Sequence, residues 1–398
     1  MSRLARFTVA TVVVTFLLVA VGGLVRASDS GLGCGDDWPN CYGHWVPPTS
    51  DFVTTLAPGD VPDFIAAAIA GGGDSAGLSA HVRDSARSVE VLAVEPDGSV
   101  MVRVSAFETW IEYTHRLLGT LAGLMTIAVL GGAIRRRDGD PETWRLGRWL
   151  LPLVVAQGLL GAYVVGQDLQ AWTVVAHLGM AMAYAGVLLA LVVHLLRPSA
   201  RGSVDRRLVR LTGGAAASVF GLNLLGSYVT GRDAGLAFTD WPLMNGAVVP
   251  DTVGHLVPAL HFTHRLVAVL VGLFLIYVVR EASRRGIRRV RAAAHVAAGL
   301  FGVQIAVGGL NVFTELHAAA VTVHLAVSVA IWGALVVAWQ LASRSAAATV
   351  EGTGPVPIVP RASSKPSKPS TVPSGGSGAG GNPGGHAEQA ANRGSVTA

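Results

Sequence analysis

The chain is poor in charge: only 14% of its 398 residues are Asp, Glu, Lys or Arg. Lysine is confined to Lys365 and Lys368, close to the C-terminus, and cysteine to Cys34 and Cys41. No acidic cluster accompanies the histidines that stand out below. Each shortage removes a class of protein. So few charges, gathered in short clusters, do not describe an ordinary soluble domain. Two thiols outside the apolar segments, and no carboxylate cluster, leave a zinc or di-iron carboxylate site without its donors. No pair of spans is interrupted by proline, which argues against a transporter built on broken helices. Nothing resembles a mitochondrial transit peptide, so a bacterial plasma membrane is the simpler home.

What the chain has is apolar residues, 51% of the total, in long runs. A bilayer core takes roughly 20 apolar residues per helix. Eight segments qualify, at 7–25, 109–134, 146–166, 172–196, 208–230, 258–280, 292–312 and 317–341. The fold class expected is an all-α integral membrane protein of eight transmembrane helices. Arginines crowd three short loops, at 135–148, 197–210 and 280–291, and Arg3 and Arg6 precede the first segment. This is the positive-inside pattern and places both termini in the cytoplasm. It also accounts for the formal charge of +5 without a nucleic-acid partner. The first segment reads as a retained helix rather than a signal peptide, because its flank recurs later in the chain.

That recurrence is general. Val25-Arg-Ala-Ser-Asp-Ser-Gly-Leu-Gly, followed by Asp37-Trp-Pro, resembles Val229-Thr-Gly-Arg-Asp-Ala-Gly-Leu-Ala, followed by Asp240-Trp-Pro. Glu-Tyr-Thr-His-Arg (112–116) recurs as His-Phe-Thr-His-Arg (261–265), and Gln157 with His177 recurs as Gln304 with His324. The spans therefore form two tandem four-helix bundles related by a pseudo-two-fold axis, with halves at 1–200 and 201–344. Residues 345–398, rich in Ser, Pro, Gly and Ala, cannot bury enough apolar surface to offset ordering and should be a disordered tail. The outside loop of the first half, 26–108, is much longer than its counterpart. It holds a segment suited to a short helix (64–70) and an alternating tract from Ser88 that suits a β-hairpin turning at Asp97-Gly98.

His115, His177, His264 and His324 sit at matched depth in even-numbered segments, roughly 5–12 Å below the outer surface at 1.5 Å rise per residue. An ionisable side chain in a bilayer is costly and usually functional. Two facing pairs of helix-borne imidazoles are a natural way to hold two haem irons. Gly119, Gly158, Gly161, Gly179, Gly308 and Gly309 would leave room for a flat macrocycle, or serve close helix packing. Arg116 and Arg265, each following a proposed ligand, suit haem propionates. His261 and His317, displaced outward, are candidate secondary groups. Glu112 lies on the same helical face as His115 and is replaced by His261 in the second copy, so it marks the half that performs chemistry. Cys34 and Cys41 lie in the outside loop, where a disulfide forms readily in an oxidising compartment; two free thiols are the alternative.

At these residues the chain resembles the haem A synthase family over roughly 7–341. The motifs are Gly-Gly-Leu-Val-Arg (22–26), Ser-Gly-Leu-Gly-Cys (30–34), Trp38-Pro, the two Thr-His-Arg motifs, Gln157-Gly-Leu-Leu-Gly, His177, Asp-Trp-Pro-Leu (240–243), Gln304 and His324. The resemblance implies a membrane oxidoreductase that converts a methyl of haem O to the formyl of haem A for cytochrome oxidase assembly. Carried over by position, His115 and His177 flank the substrate haem O, and Glu112 is the catalytic carboxylate. His264 and His324 ligate a haem b cofactor, and Cys34 and Cys41 form a disulfide. Expected partners are haem O, the farnesyltransferase that makes it, membrane lipid and a quinone as electron partner. A di-haem cytochrome that passes electrons from quinol without altering haem is the competing reading. The insert at 50–105 and the tail depart from the compact form of the family.

Overall fold

The structure, a computed structural model, describes residues 1–35, 40–61, 65, 66, 69, 89–196 and 205–350. The eight expected segments are eight helices: α1 (Arg3–Ala27), α2 (Ala106–Ile134), α3 (Pro141–Val165), α4 (Ala171–Leu196), α5 (Arg206–Gly231), α6 (Leu256–Arg284), α7 (Arg288–Phe313) and α8 (Ala318–Val350). All are long and apolar enough to cross a membrane. Most begin a few residues before the apolar run does, and in α1, α3 and α5 the first turn is held by a polar cap. Ser2 accepts from Ala5 N, Asp140 from Thr143 N, and Asp205 from Arg207 N and Leu208 N. Such caps satisfy N–H groups that have no partner within the helix.

Neighbouring helices close into two rings. In one, α1 packs on α2, α2 on α3, α3 on α4, and α4 back on α1; α5 to α8 close in the same way. The rings meet through α1 with α8, α4 with α5, and α4 with α8. Their shared core includes Met182, Leu275, Ile331 and Leu335, all buried. Buried Thr8, Thr11 and Thr15 of α1 fit among apolar neighbours because each hydroxyl donates to the carbonyl four residues earlier, at 2.9, 3.0 and 2.8 Å. On the outer surface Leu124, Leu159 and Ile276 are each more than half exposed, as befits side chains that face hydrocarbon.

The turns at one end of the bundle, called here the cap end, recur between the two rings. Non-glycine residues with positive φ are uncommon, yet they come here in matched sets: Asp29 with Asp233, Tyr42 with Asn245, and Asp168-Leu169 with Glu315-Leu316. The isolated bridge Cys41↔His44 is matched by Met244↔Ala247.

The cap end of the first ring carries the one departure from an all-helical chain among the described residues. Three strands, β1 (Phe52–Leu56), β2 (Val89–Val94) and β3 (Val100–Val104), form an antiparallel sheet in the order β1-β3-β2. The hairpin turns at Asp97-Gly98 as expected, with Gly98 at φ 85° and Asp97 Oδ1 accepting from Ser99 N at 2.9 Å. Strand β1 was not anticipated, although its β-branched run Val53-Thr54-Thr55 suits a strand. Val89, Val91, Val100, Val102 and Val104 of the sheet pack on Leu32, Tyr42 and Leu169 in the loops of the first ring and on Val165 at the end of α3. The short helix expected at 64–70, the Asp37-Trp38-Pro39 motif and the tail beyond 350 lie largely or wholly outside the described residues.

The insert is tied to α2 directly. Asp51 Oδ1 accepts from Ala106 N at 2.9 Å, and Trp110 Nε1 donates to the Pro48 carbonyl at 2.9 Å. Asp51→Ala should therefore remove a helix cap from a segment 55 residues away in sequence, at a cost of about 1 kcal/mol. The unfolding midpoint in detergent should fall accordingly; an unchanged midpoint would mean that the cap contributes nothing.

Candidate functional site

One cavity of about 2050 Å³ runs through the bundle and is lined by His115, His177, His264 and His324 together. Typical small-molecule sites occupy about 300–1,000 Å³, so this space suits something larger or more than one occupant. His115 lies within electrostatic range of His177, and His324 of His264. The helices that carry them start nine, six, eight and six residues earlier, in chain order, which puts the imidazoles about 9–14 Å from the cap ends of their helices.

Each imidazole rests against a glycine of the preceding helix. A Cβ at Gly22 would stand 2.9 Å from His115 Cε1, at Gly161 3.0 Å from His177 Cε1, at Gly226 3.0 Å from His264 Cε1, and at Gly308 3.3 Å from His324 Cε1. Two of the six glycines singled out in the sequence, Gly161 and Gly308, thus seat a histidine ring rather than clear a macrocycle. Gly22 and Gly226, equivalent by the repeat, do the same. Gly119 and Gly158 meet nothing within 4 Å and line the cavity, as clearance requires. Gly179 packs on Leu224, and Gly309 on the indole of Trp241.

The glutamines repeated beside the histidines also act in pairs. Gln157 Nε2 donates to the His177 carbonyl at 3.2 Å, and Gln304 Nε2 to the His324 carbonyl at 3.0 Å. These bonds hold the ligand-bearing turn of α4 and α8 to the helix before it. Buried polar atoms in native proteins are nearly always hydrogen-bonded. Here Nδ1 of His115, His264 and His324, Oε1 of Gln157 and Gln304, and Nη2 of Arg265 are buried without a partner among the described residues. Orphans of this kind, gathered along one cavity, fit a polar or metal-bearing group that this chain does not itself supply. Among the described residues no three or more of His, Cys, Asp and Glu gather as a metal site. Histidine in pairs is the donor set expected for a metal whose other ligands come with it, as in a haem.

Glu112 is buried at the cap end of the first ring. Its Oε2 accepts from Cys34 N at 2.8 Å, and its Oε1 from Arg116 Nε at 2.9 Å and Nη2 at 2.5 Å. Arg116 Nη1 continues to the Asn40 carbonyl at 3.0 Å. Cys34 and Cys41 are joined by a disulfide, so the N–H that meets Glu112 belongs to a covalently closed loop. The loop lies hard against α2: a Cβ at Gly33 would come within 2.8 Å of the Glu108 carbonyl, and Thr109 Oγ1 donates to the Gly33 carbonyl at 2.7 Å.

The second ring repeats this frame with different chemistry. His261 replaces the carboxylate and accepts from Arg265 Nε at 3.0 Å, while Arg265 Nη1 donates to the Asp240 and Leu243 carbonyls at 3.1 and 2.7 Å. Phe238, in the place of Cys34, is fully buried, with its ring 5.3 Å from that of His261 and 5.8 Å from the Arg265 guanidinium. Asp240 accepts from Asn245 N and Gly246 N, and these N–H groups hold its carboxyl below the usual carboxylate range. Both arginines therefore pin the cap-end loops. Arg265 keeps a buried nitrogen free to meet a further anion, whereas Arg116 is engaged by Glu112 and Asn40. His317 is exposed and caps α8, accepting from Ala319 N at 3.3 Å. The glutamine bonds and Gly22 and Gly226 are the functional features that sequence alone left without a role; for the glutamines the signal is a shared 20-residue offset to a histidine.

A family model described as cytochrome oxidase assembly protein (COX15-CtaA) matches residues 5–58 and 84–336. The unmatched stretch between them falls in the insert. Among curated proteins, the haem A synthase of Symbiobacterium thermophilum is 27% identical over 349 residues, covering 84% of this chain and 94% of the relative. That of a Caulobacter species is 30% identical over 337 residues, covering 79% and 88%. That of Paracoccus denitrificans is 34% identical over 243 residues, covering 54% and 62%.

The glycine seats make a contrast that can be measured. Gly→Ala in a helix interior normally stabilises by about 0.8–1.0 kcal/mol. Gly158→Ala, facing open space, should be neutral or stabilising. Gly22→Ala, which drives a methyl into the His115 ring, should destabilise by about 1–3 kcal/mol. Thermal unfolding of the two variants in the same detergent checks this; equal midpoints would remove the seat.

Proposed function

The chain belongs to the cytochrome oxidase assembly protein family, and from that premise we propose that it is a haem A synthase, oxidising the methyl substituent of haem O to the formyl group of haem A. One observation carries the reading. Two pairs of glycine-seated histidines open on a single cavity, and only one of the two pairs has a buried carboxylate beside it. Haem O is the substrate of the first half, between His115 and His177. Haem b is the cofactor of the second half, between His264 and His324, where it supplies one-electron redox chemistry to the site. The pairing of donors suits both assignments, as do the orphaned ring nitrogens of His115, His264 and His324; the His177 ring nitrogens lie beside Gln157 Nε2.

Methyl to formyl is a four-electron oxidation in which the carbon loses hydrogens and gains an oxygen. The residue placed to manage charge and protons there is Glu112. Positioned General bases of this sort are worth about 10²–10⁴-fold in rate. Arg116 and the Cys34 N–H fix both of its oxygens, so its orientation does not depend on the substrate. The Cys34–Cys41 disulfide holds that N–H in place. His261 takes the equivalent position in the second half and leaves that half without a carboxylate, in keeping with a cofactor rather than a reaction. Arg265, with its free nitrogen, suits a propionate of the cofactor haem, and Arg116 suits one of the substrate only at the outer edge of its contact with Glu112.

The arginine clusters orient the cap end toward the outside of a bacterial plasma membrane, with both termini in the cytoplasm. Haem O reaches the first half from the lipid, handed on by the farnesyltransferase that makes it, and a quinone is the electron partner. The halves at 1–200 and 201–344 act as substrate and cofactor domains. Expression beside a haem O-producing enzyme, followed by chromatography of the extracted porphyrins, tests the reading. Haem A should appear with the wild-type chain, whereas haem b alone would identify an electron conduit. Glu112→Gln should keep its haem content and lower formyl production by at least about 100-fold; full activity in that variant would remove Glu112 from the reaction.

A further inference from the structure

Below the histidines the two rings differ once more. Tyr184 lies seven residues past His177 on α4, about 10 Å deeper in the bundle. Its hydroxyl is 2.5 Å from Thr126 Oγ1 of α2, and Thr15 of α1 lies close by. All three side chains are buried, and Tyr184 and Thr15 line the cavity. At the same repeat offsets the second ring has Ile331, Leu275 and Val219, which are also buried and also line it. One cavity thus has a hydroxyl floor under one histidine pair and a hydrocarbon floor under the other. The polar groups that the second ring does have are satisfied locally: Asn223 Nδ2 donates to the Ser328 carbonyl at 3.5 Å, and Ser328 Oγ to the Leu325 carbonyl at 2.8 Å.

Counting protons shows what the triad can still do. Thr126 Oγ1 donates to the Ala122 carbonyl at 2.7 Å, and Thr15 Oγ1 to the Thr11 carbonyl at 2.8 Å. A hydroxyl has one proton and two lone pairs. With both threonine protons given to their own helix, Tyr184 donates to Thr126, and the phenol oxygen keeps acceptor capacity toward the cavity. A buried, pre-aligned acceptor in an otherwise apolar space favours a ligand that brings a hydroxyl to that point.

We propose that Tyr184, held in place by Thr126, distinguishes substrate from cofactor by accepting a hydrogen bond from the alcohol of the hydroxyethylfarnesyl chain of haem O. Haem b carries a vinyl at that position and offers no such donor. The inference rests on the reading that the first half takes haem O. It is consistent with the sense of the site: a haem whose propionate edge faces the arginines of the cap end turns its opposite edge toward Tyr184. The apolar floor of the second ring suits the vinyl-bearing haem.

The test titrates the purified full-length protein, carrying its second-half haem, with haem O, with an analogue whose chain lacks only the hydroxyl, and with haem b. In the wild type, haem O should bind about 3–10-fold more tightly than the deoxy analogue, the worth of one neutral hydrogen bond. Tyr184→Phe should abolish that ratio while leaving affinity for the analogue unchanged. Equal wild-type affinities for haem O and the analogue would overturn the proposal, and so would a variant that weakens both alike, which is the mark of a packing residue. The wild-type comparison decides the matter even where the variant does not fold. Binding of none of the three porphyrins would instead overturn the functional reading, and this proposal with it.

Discussion

Everything in this molecule follows from the difficulty of holding an imidazole inside hydrocarbon at a fixed position. A polar ring there needs a partner, and a ring that must present a nitrogen to a third party cannot use that nitrogen to satisfy itself. The chain solves the problem by shape. A glycine on the preceding helix brings backbone against the Cε1 edge of each ring, so the ring is placed by contact; His177 in addition has Gln157 Nε2 within 3.2 Å of both ring nitrogens. On α4 and α8 a glutamine then fastens the carbonyl of the same residue. The imidazole is located from two sides, and Nδ1 of His115, His264 and His324 stays buried without a partner among the described residues.

The same frame supports two chemistries because the fastening lies deeper in the helices and the difference lies at the cap end, where Glu112 of α2 and His261 of α6 meet the loops. In the first ring a disulfide-closed loop delivers an N–H to a buried carboxylate. In the second, an aromatic ring packs against an imidazole and a guanidinium. Each arginine performs the same task in both, crossing from its helix to loop carbonyls. A buried carboxylate next to an arginine and a backbone donor is a stable arrangement only as a complete set; loss of any member leaves a charge unpaired in a poorly solvated place. This explains why the second ring, which keeps the arginine as Arg265, replaces both the carboxylate and the cysteine that meets it.

Much of this was legible in the sequence, for identifiable reasons. A bilayer demands long apolar runs, so all eight helices could be located from composition, and only polar turns at their ends fell outside the runs. The histidine pairs were legible because a repeat supplies a second copy to compare. The hairpin at Asp97-Gly98 announced itself by alternation and turn chemistry. Strand β1 did not, since five residues without strict alternation are too short a signal. Gly22 and Gly226 were hidden because their significance is a contact between helices, and nothing local sets them apart from other membrane glycines. The roles of Arg116 and Arg265 were read from neighbouring ligands, whereas their strongest contacts are with loops that sequence spacing cannot place.

The insert is best understood through the route that it leaves open. Its sheet packs on Leu32, Tyr42, Val165 and Leu169, that is, on the cap end of the ring that holds Glu112. A large, greasy substrate would not be expected to approach from that aqueous side in any case, since transfer through water opposes the hydrophobic effect at every apolar ring atom. Passage sideways between helices is the route that suits such a substrate. Gly119 on α2 and Gly158 on α3 both line the cavity with open space before them, while Leu117 and Leu159 beside them are exposed on the outer surface. Small residues between a cavity and the lipid lower the barrier to lateral passage, because no side chain has to be displaced there.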